Sequence, residues 1–119
     1  MDLLNPNSLF IGKVAKFLKN VDSTNSHAKL LLSKSNPIEG TVIYAANQQA
    51  GRGQIGSSWQ SEPDKNLLLS IILYPKFLSA SAQFMLNKVV CLAATDVLCG
   101  MGLDRQQVKI KWPNDIYVG

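Results

Sequence analysis

The stretch from Asn66 to Tyr74 (Asn-Leu-Leu-Leu-Ser-Ile-Ile-Leu-Tyr) constrains the fold of this chain more than any other, because it is a nearly continuous apolar run stopped by Pro75. A strand with one wet face alternates apolar and polar residues, so a short run without alternation reads as a strand buried on both faces. Thr41 to Ala46 (Thr-Val-Ile-Tyr-Ala-Ala) is β-branched, follows Gly40 and leads into a polar run, and reads as a second strand. With 119 residues and 46% hydrophobic content, the chain fits one domain with its own core.

Helical spacing appears in two places. Asn25 to Leu32 carries Ala28, Leu31 and Leu32 behind a run of capping residues, which predicts a helix beginning near Thr24. Ser79 to Met101 opens on a capping serine, repeats apolar residues through Phe84, Leu86, Val89, Val90, Ala93 and Val97, and closes at Gly100-Met101-Gly102. Phe10 to Val21 fits either helix or strand. Val108 to Trp112 alternates as a half-buried strand does, Pro113-Asn114-Asp115 turns, and Ile116-Tyr117-Val118 starts a returning strand whose open edge favours pairing with another copy.

Cys91 and Cys99 fall on the long helix, roughly 12 Å apart along its axis, too far for a disulfide. Two reduced core thiols are the expectation. The net charge of +4 is spread along the chain, and Lys13, Lys16 and Lys19 read as a solvated flank and not as a nucleic-acid patch. Such a charge suits a polyanionic small ligand. No segment approaches the roughly 18 uninterrupted apolar residues of a membrane span, and Met1 to Pro6 lacks the features of a signal peptide, so a cytoplasmic address with no membrane partner is expected.

Gly51-Arg52-Gly53-Gln54-Ile55-Gly56 has the spacing of a dinucleotide-binding fingerprint. That fingerprint requires a helix to start at the third glycine and an acidic residue about 20 positions later. Here Gly56 leads into a serine-rich loop, and Tyr74-Pro75-Lys76 stands where the acid should be. A Gly-Lys-Ser/Thr sequence is absent too, which removes the P-loop. What remains is a long loop between two strands. Its glycines let backbone N–H groups approach an anion, and its arginine can fork onto a phosphate or carboxylate. Loops longer than about 12 residues usually carry function or disorder. Trp59 in this polar loop suits either a lid over a ligand or a satellite core contact.

Two segments flank the loop. Asp22-Ser23-Thr24-Asn25 sets short polar side chains at a helix start, which by itself is more often a cap than a site. Lys109-Ile110-Lys111-Trp112-Pro113-Asn114-Asp115 combines cation, aromatic, turn and carboxylate, a set suited to a nucleotide with bound Mg²⁺ or equally to a plain turn.

Taken in order, Asp22-Ser23-Thr24-Asn25, then Gln48-Gln49-Ala50-Gly51-Arg52-Gly53 with Gly56 and Trp59, then Asn66-Leu67, then Lys111-Trp112-Pro113-Asn114-Asp115, resemble the catalytic domain of biotin protein ligases across Val21 to Val118. The resemblance implies an α+β fold, a mixed sheet with helices packed on one side, related to class II aminoacyl-tRNA synthetases. It also implies ATP-dependent activation of biotin to biotinyl-5'-AMP, then transfer to a lysine of a carboxylase's biotin carboxyl carrier domain.

By the same resemblance Ser23, Thr24, Asn25 and Gln48 lie at the biotin end, with Gly51, Arg52, Gly53 and Gln54 around the biotin carboxylate. Arg52, Trp59, Lys111, Asn114 and Asp115 serve ATP, Asp115 is the candidate Mg²⁺ ligand, and Arg52 and Lys111 are the candidate catalytic residues. The strand Leu67 to Leu73 would line the slot for the bicyclic ring. Family members often carry a second basic residue where this chain has Gln54, which shifts weight onto Arg52. The family's catalytic lysine falls beyond Gly119, so the chain is expected to be an incomplete catalytic domain, lacking the small C-terminal SH3-like domain and inactive by itself. With no helix-turn-helix segment ahead of Ser23, DNA is not an expected partner. A homodimer is compatible with the sequence. The rival readings are a lipoate ligase or lipoyl transferase of the same superfamily, whose Arg-Arg start and Gly-Gly-Gly run are missing here, and a catalytically inactive fragment.

Overall fold

The computed structural model describes residues 8–53, 56–111 and 114–119, which fall into two compact units, Met1–Tyr74 and Pro75–Gly119. The segment Met1 to Pro6 read above for targeting signals lies outside the described residues.

The first unit contains β1 (Ala15–Val21), α1 (Thr24–Lys34), β2 (Val42–Gln48), β3 (Gly51–Arg52), β4 (Ser58–Trp59) and β5 (Leu68–Ile71). β1 runs parallel to β2, and β5 runs antiparallel on its other side, so the sheet is mixed with β2 in the middle. Central position explains the burial of adjacent residues Val42 and Ile43, since a middle strand can bury both faces. Ile43 has no exposed surface and joins Ala28 of α1 and Ile72 in the core, with Leu18, Leu31 and Tyr74 packed around them. The ambiguous segment from Phe10 is resolved here. Its last residues form β1 because β2 offers a ladder, with Phe17 and Tyr44 rings 5.1 Å apart across it.

The run from Asn66 to Tyr74 corrects one expectation. Only Leu68–Ile71 is strand, and burial alternates: Leu68, Ser70 and Ile72 are buried, whereas Leu67, Leu69, Ile71 and Leu73 are 59%, 36%, 42% and 36% exposed. The reason is cover. Ile72 packs against Ala28 of α1, and Ser70 meets Thr24 of the same helix, while Leu67, Leu69, Ile71 and Leu73 on the opposite face stay partly exposed.

The second unit contains α2 (Gln83–Gly100), β6 (Val108–Lys111) and β7 (Asp115–Val118), the strands forming an antiparallel hairpin. Ser79 does not cap α2 as expected. A 3-10 turn at Ala80–Ala82 intervenes, and the Ser79 hydroxyl pairs with that of Ser81 at 3.0 Å. The helix closes near the expected glycines, with Gly102 at φ +107 in the left-handed region. Neither cysteine is in a disulfide, Cys91 being buried and Cys99 partly so.

Cys91 and Thr95 are the buried residues of α2, whereas Val89, Val90, Leu92 and Val97 are all more than half exposed. Ala80–Gly100 is also long and apolar enough to cross a membrane by length and composition, with mean hydropathy 1.3. Asn87, Lys88, Thr95 and Asp96 interrupt it, so the expectation that no uninterrupted span exists holds for sequence but not for average hydropathy. Length and composition alone do not separate a membrane span from a helix that packs in a core.

Candidate functional site

The polar end of the site is made by the start of α1. Ser23 is extended at φ −154 and ψ 149, and its Oγ accepts the Ser26 N–H at 2.9 Å, satisfying one of the free donors of the first helical turn. Beyond β2 the chain keeps following β1, with Gln49 N–H donating to Val21 O at 2.9 Å. That continuation sets Gln48 beside the helix start, where its Oε1 accepts the Thr24 N–H at 3.0 Å. Thus a residue 24 positions downstream completes the cap that Ser23 begins.

β5 supplies the next wall. Ser70 stands opposite Ile43 in the ladder, and its hydroxyl lies 2.8 Å from Thr24 Oγ1 while also donating to Asn25 Oδ1. Leu67, Leu68 and Leu69 continue this wall as the apolar part of a pocket of about 400 Å³. That volume suits a small organic ligand, whose sites run from about 300 to 1,000 Å³.

The glycine loop closes the pocket. It carries regular structure, for β3 and β4 pair as a short antiparallel ribbon with Gly51 opposite Trp59 and Arg52 opposite Ser58. Gly56 sits at φ +81, and strand β4, not a helix, follows it, which removes the dinucleotide reading in structure as in sequence. Gly51 is buried behind the lining: a Cβ there would fall 2.4 Å from Trp59 O and 2.5 Å from Gln48 Nε2. Its glycine identity lets the ribbon and the Gln48 amide meet. Arg52 and Gly53 line the pocket, as does Trp59, which is 55% exposed. Lys29 and Arg52 are the cations among the described lining residues, and no carboxylate lines the pocket with them. A ligand carrying a negative charge is therefore the electrostatic match.

Of the sequence-predicted residues, Ser23, Thr24, Asn25, Gln48, Arg52, Gly53 and Trp59 converge on this pocket. Gln54 and Ile55 lie outside the described residues, as do Trp112 and Pro113. In the second unit Lys111 stands opposite Asp115 in the hairpin ladder, with its ammonium 5.9 Å from the Tyr117 ring centroid, and Asn114 is exposed at the turn. Among the described residues no group of three or more His, Cys, Asp or Glu could hold a metal ion. A lone carboxylate such as Asp115 fits only Mg²⁺ that is carried mainly by phosphate oxygens and water.

Ser26, Lys29 and Ser70 also line the pocket and were not singled out in the sequence. Lys29 had a legible signal, because it lies four residues after Asn25 and so shares its face of α1. For Ser70 the signal was a lone hydroxyl inside a leucine-isoleucine run, which a buried strand keeps only where the hydroxyl has a partner.

Residues 17–119 match the Biotin/lipoate A/B protein ligase family. Among curated relatives, the bifunctional ligase/repressor BirA of Escherichia coli (strain K12) is 36% identical over 108 residues, covering 90% of this chain and 32% of the relative. The biotin--[acetyl-CoA-carboxylase] ligase of Paracoccus denitrificans is 35% identical over 103 residues, covering 83% of this chain and 40% of the relative. The chain thus spans about a third of the length of the curated relatives it matches. Among solved structures, biotin protein ligase from Leishmania major in complex with biotinyl-5-AMP superposes with a TM-score of 0.72 at 29% identity, covering 88% of this chain and 47% of that one.

Proposed function

The chain belongs to the Biotin/lipoate A/B protein ligase family, and from that membership we propose that it forms part of an enzyme that activates biotin with ATP and transfers it to a lysine of a biotin carboxyl carrier domain. The observation that carries this reading is the pocket of the first unit, which joins hydroxyl and amide groups at one end to a leucine wall and two cations. Biotin has a ureido ring, an apolar bicycle and chain, and a carboxylate, and each finds its chemical counterpart there. We assign Ser23, Thr24, Asn25 and Gln48 to the ureido end, where an unpaired buried polar group would cost about 1 to 3 kcal/mol. Arg52, with Gly53 and Gln54, is assigned to the carboxylate and the phosphoryl group it attacks. Trp59 is assigned as cover over the nucleotide.

In the first step a biotin carboxylate oxygen attacks the α-phosphorus of ATP and the bond to the bridging oxygen breaks, giving biotinyl-5'-AMP and pyrophosphate. In the second, the acceptor amine attacks the carbonyl carbon, AMP leaves with the anhydride oxygen, and the amine loses its proton. The chain contributes mainly position and charge: Arg52 draws the two negatively charged reactants together and stabilises the phosphoryl oxygens. On motif and chemistry alone we assign Lys111, Asn114 and Asp115 to the nucleotide. Bound Mg²⁺ would supply further neutralisation, shared between phosphate oxygens and Asp115. A cytoplasmic setting, where ATP and carboxylases meet, accords with this reading.

The lipoate alternative is weaker on physical grounds. A dithiolane ring offers neither N–H nor carbonyl, so Thr24, Asn25 and Gln48 would lose hydrogen bonds to water and gain none. Biotin-dependent exchange of pyrophosphate into ATP, measured in the protein that carries this sequence, tests the proposal. Exchange that requires biotin and is not supported by lipoate is expected; exchange driven by lipoate and indifferent to biotin would overturn it.

A further inference from the structure

We propose that Ser70 is a positioning residue that fixes the direction of the hydrogen bonds at the polar end of the pocket, and so decides that this end takes an N–H donor beside a carbonyl acceptor. The inference rests on the biotin reading above and adds to it a residue and a rule of discrimination.

Ser70 Oγ carries one proton, and its two neighbours are Thr24 Oγ1 at 2.8 Å and Asn25 Oδ1. An amide oxygen can only accept, so the Ser70 proton goes to Asn25. Thr24 must then be the donor in the Thr24–Ser70 pair. With its single proton spent, the Thr24 hydroxyl faces the pocket as an acceptor only. The Asn25 amide is oriented by the same count, because its Oδ1 is occupied by Ser70, and Gln48 Oε1 is held by the Thr24 N–H. Asn25 is thus left with its NH₂ group, a donor only, for a ligand, whereas the Gln48 NH₂ packs against Gly51. Thr24 and Ser70 are 5% and 9% exposed, so water competes poorly for these protons.

A ligand matching the Thr24 acceptor beside the Asn25 donor must offer an N–H next to a C=O, as a cyclic urea does. A ligand with an oxygen where the urea has N–H would place lone pair against lone pair at Thr24. Without Ser70, the Thr24 hydroxyl can rotate and donate instead, and the distinction is lost.

Calorimetric titration with biotin and with oxazolidinone analogues, each with one ureido N–H replaced by oxygen, tests this. The wild-type protein should bind one analogue more weakly than biotin by on the order of 10- to 100-fold. Ser70→Ala should bring that ratio below about 5-fold, since a rotated hydroxyl can serve either ligand, and Ser70→Thr, which keeps the hydroxyl, should restore it. Asn25→Leu removes the acceptor of the Ser70 proton from an exposed position of α1, so it should also collapse the ratio without touching the β5 core. It decides the matter if Ser70→Ala does not fold. Asn25→Asp keeps the acceptor, so the ratio should hold even though the lost NH₂ donor weakens the binding of both ligands. An unchanged ratio in Ser70→Ala or Asn25→Leu, with biotin still bound, overturns the role of Ser70 alone. Failure of the wild type to bind biotin overturns the ligase reading and this inference together.

Discussion

At the residue scale, Arg52 and Ser70 show how differently one pocket can use a side chain. Arg52 is exposed on a two-residue strand and contributes little to packing, so its value lies in charge. Arg52→Ala should lower biotin-dependent pyrophosphate exchange by about 10- to 150-fold, the loss of one charge-assisted hydrogen bond. Stability should change by no more than about 0.5 kcal/mol, as at other exposed sites. Exchange within about three-fold of wild type, outside the range of a lost ionic contact, would remove Arg52 from the reacting centre. Ser70 is the reverse case, buried and uncharged, and the effect proposed for it passes through the two side chains it pairs with, Thr24 and Asn25. The aspartate at position 64 follows neither pattern: its positive φ of 60 and its N–H bond to Ala46 O at 3.0 Å tie the loop end back to β2.

At the scale of elements, the short ribbon of β3 and β4 is where the glycine pattern acquires meaning. The backbone at Gly51 packs against both the Trp59 carbonyl and the Gln48 amide, with no room for a methyl group. Gly51→Ala should therefore open the ribbon and displace Gln48, lowering biotin affinity at least about 10-fold, as expected when a positioned amide is lost. A Cβ at Gly53 would come no closer than 3.2 Å, to Ser57 Cβ, so the neighbour need shift by only a few tenths of an ångström and Gly53→Ala should cost less. Titration of both variants with biotin makes the comparison. Equal losses would show that the loop's glycines serve flexibility and not the close approach at Gly51. The same scale explains the correction at β5. Strand composition announced burial on both faces, but the buried residues of β5 are those facing α1.

At the scale of the whole molecule, ligand binding should be felt locally. All described lining residues of the pocket lie in the first unit. Saturating biotin at about 100 times its dissociation constant adds roughly 2.7 kcal/mol to the stability of the state that binds it. Hydrogen exchange should accordingly slow in the first turns of α1, at the end of β2 and through β5. Protection that spares these segments would place the ligand elsewhere.

How far these levels could be read in the sequence depends on the range of the interactions involved. Caps, turn glycines and apolar periodicity act over a few residues, so α1, the end of α2, the hairpin at Asp115 and the non-helical sequel to Gly56 were legible without coordinates. So was the order of the four motif segments, which a linear chain records directly. Which side of β5 is covered, whether the segment after Phe10 is strand, and that Ser70, Ser26 and Lys29 face the same cavity as Gln48 were set only by pairing across 24 to 46 positions. A hydroxyl among leucines looks alike wherever it points. Only the β2–β5 register and the seat of α1 on that face put the Ser70 hydroxyl against Thr24, because a strand's side chains alternate and a shift of one residue would have sent it to the opposite face.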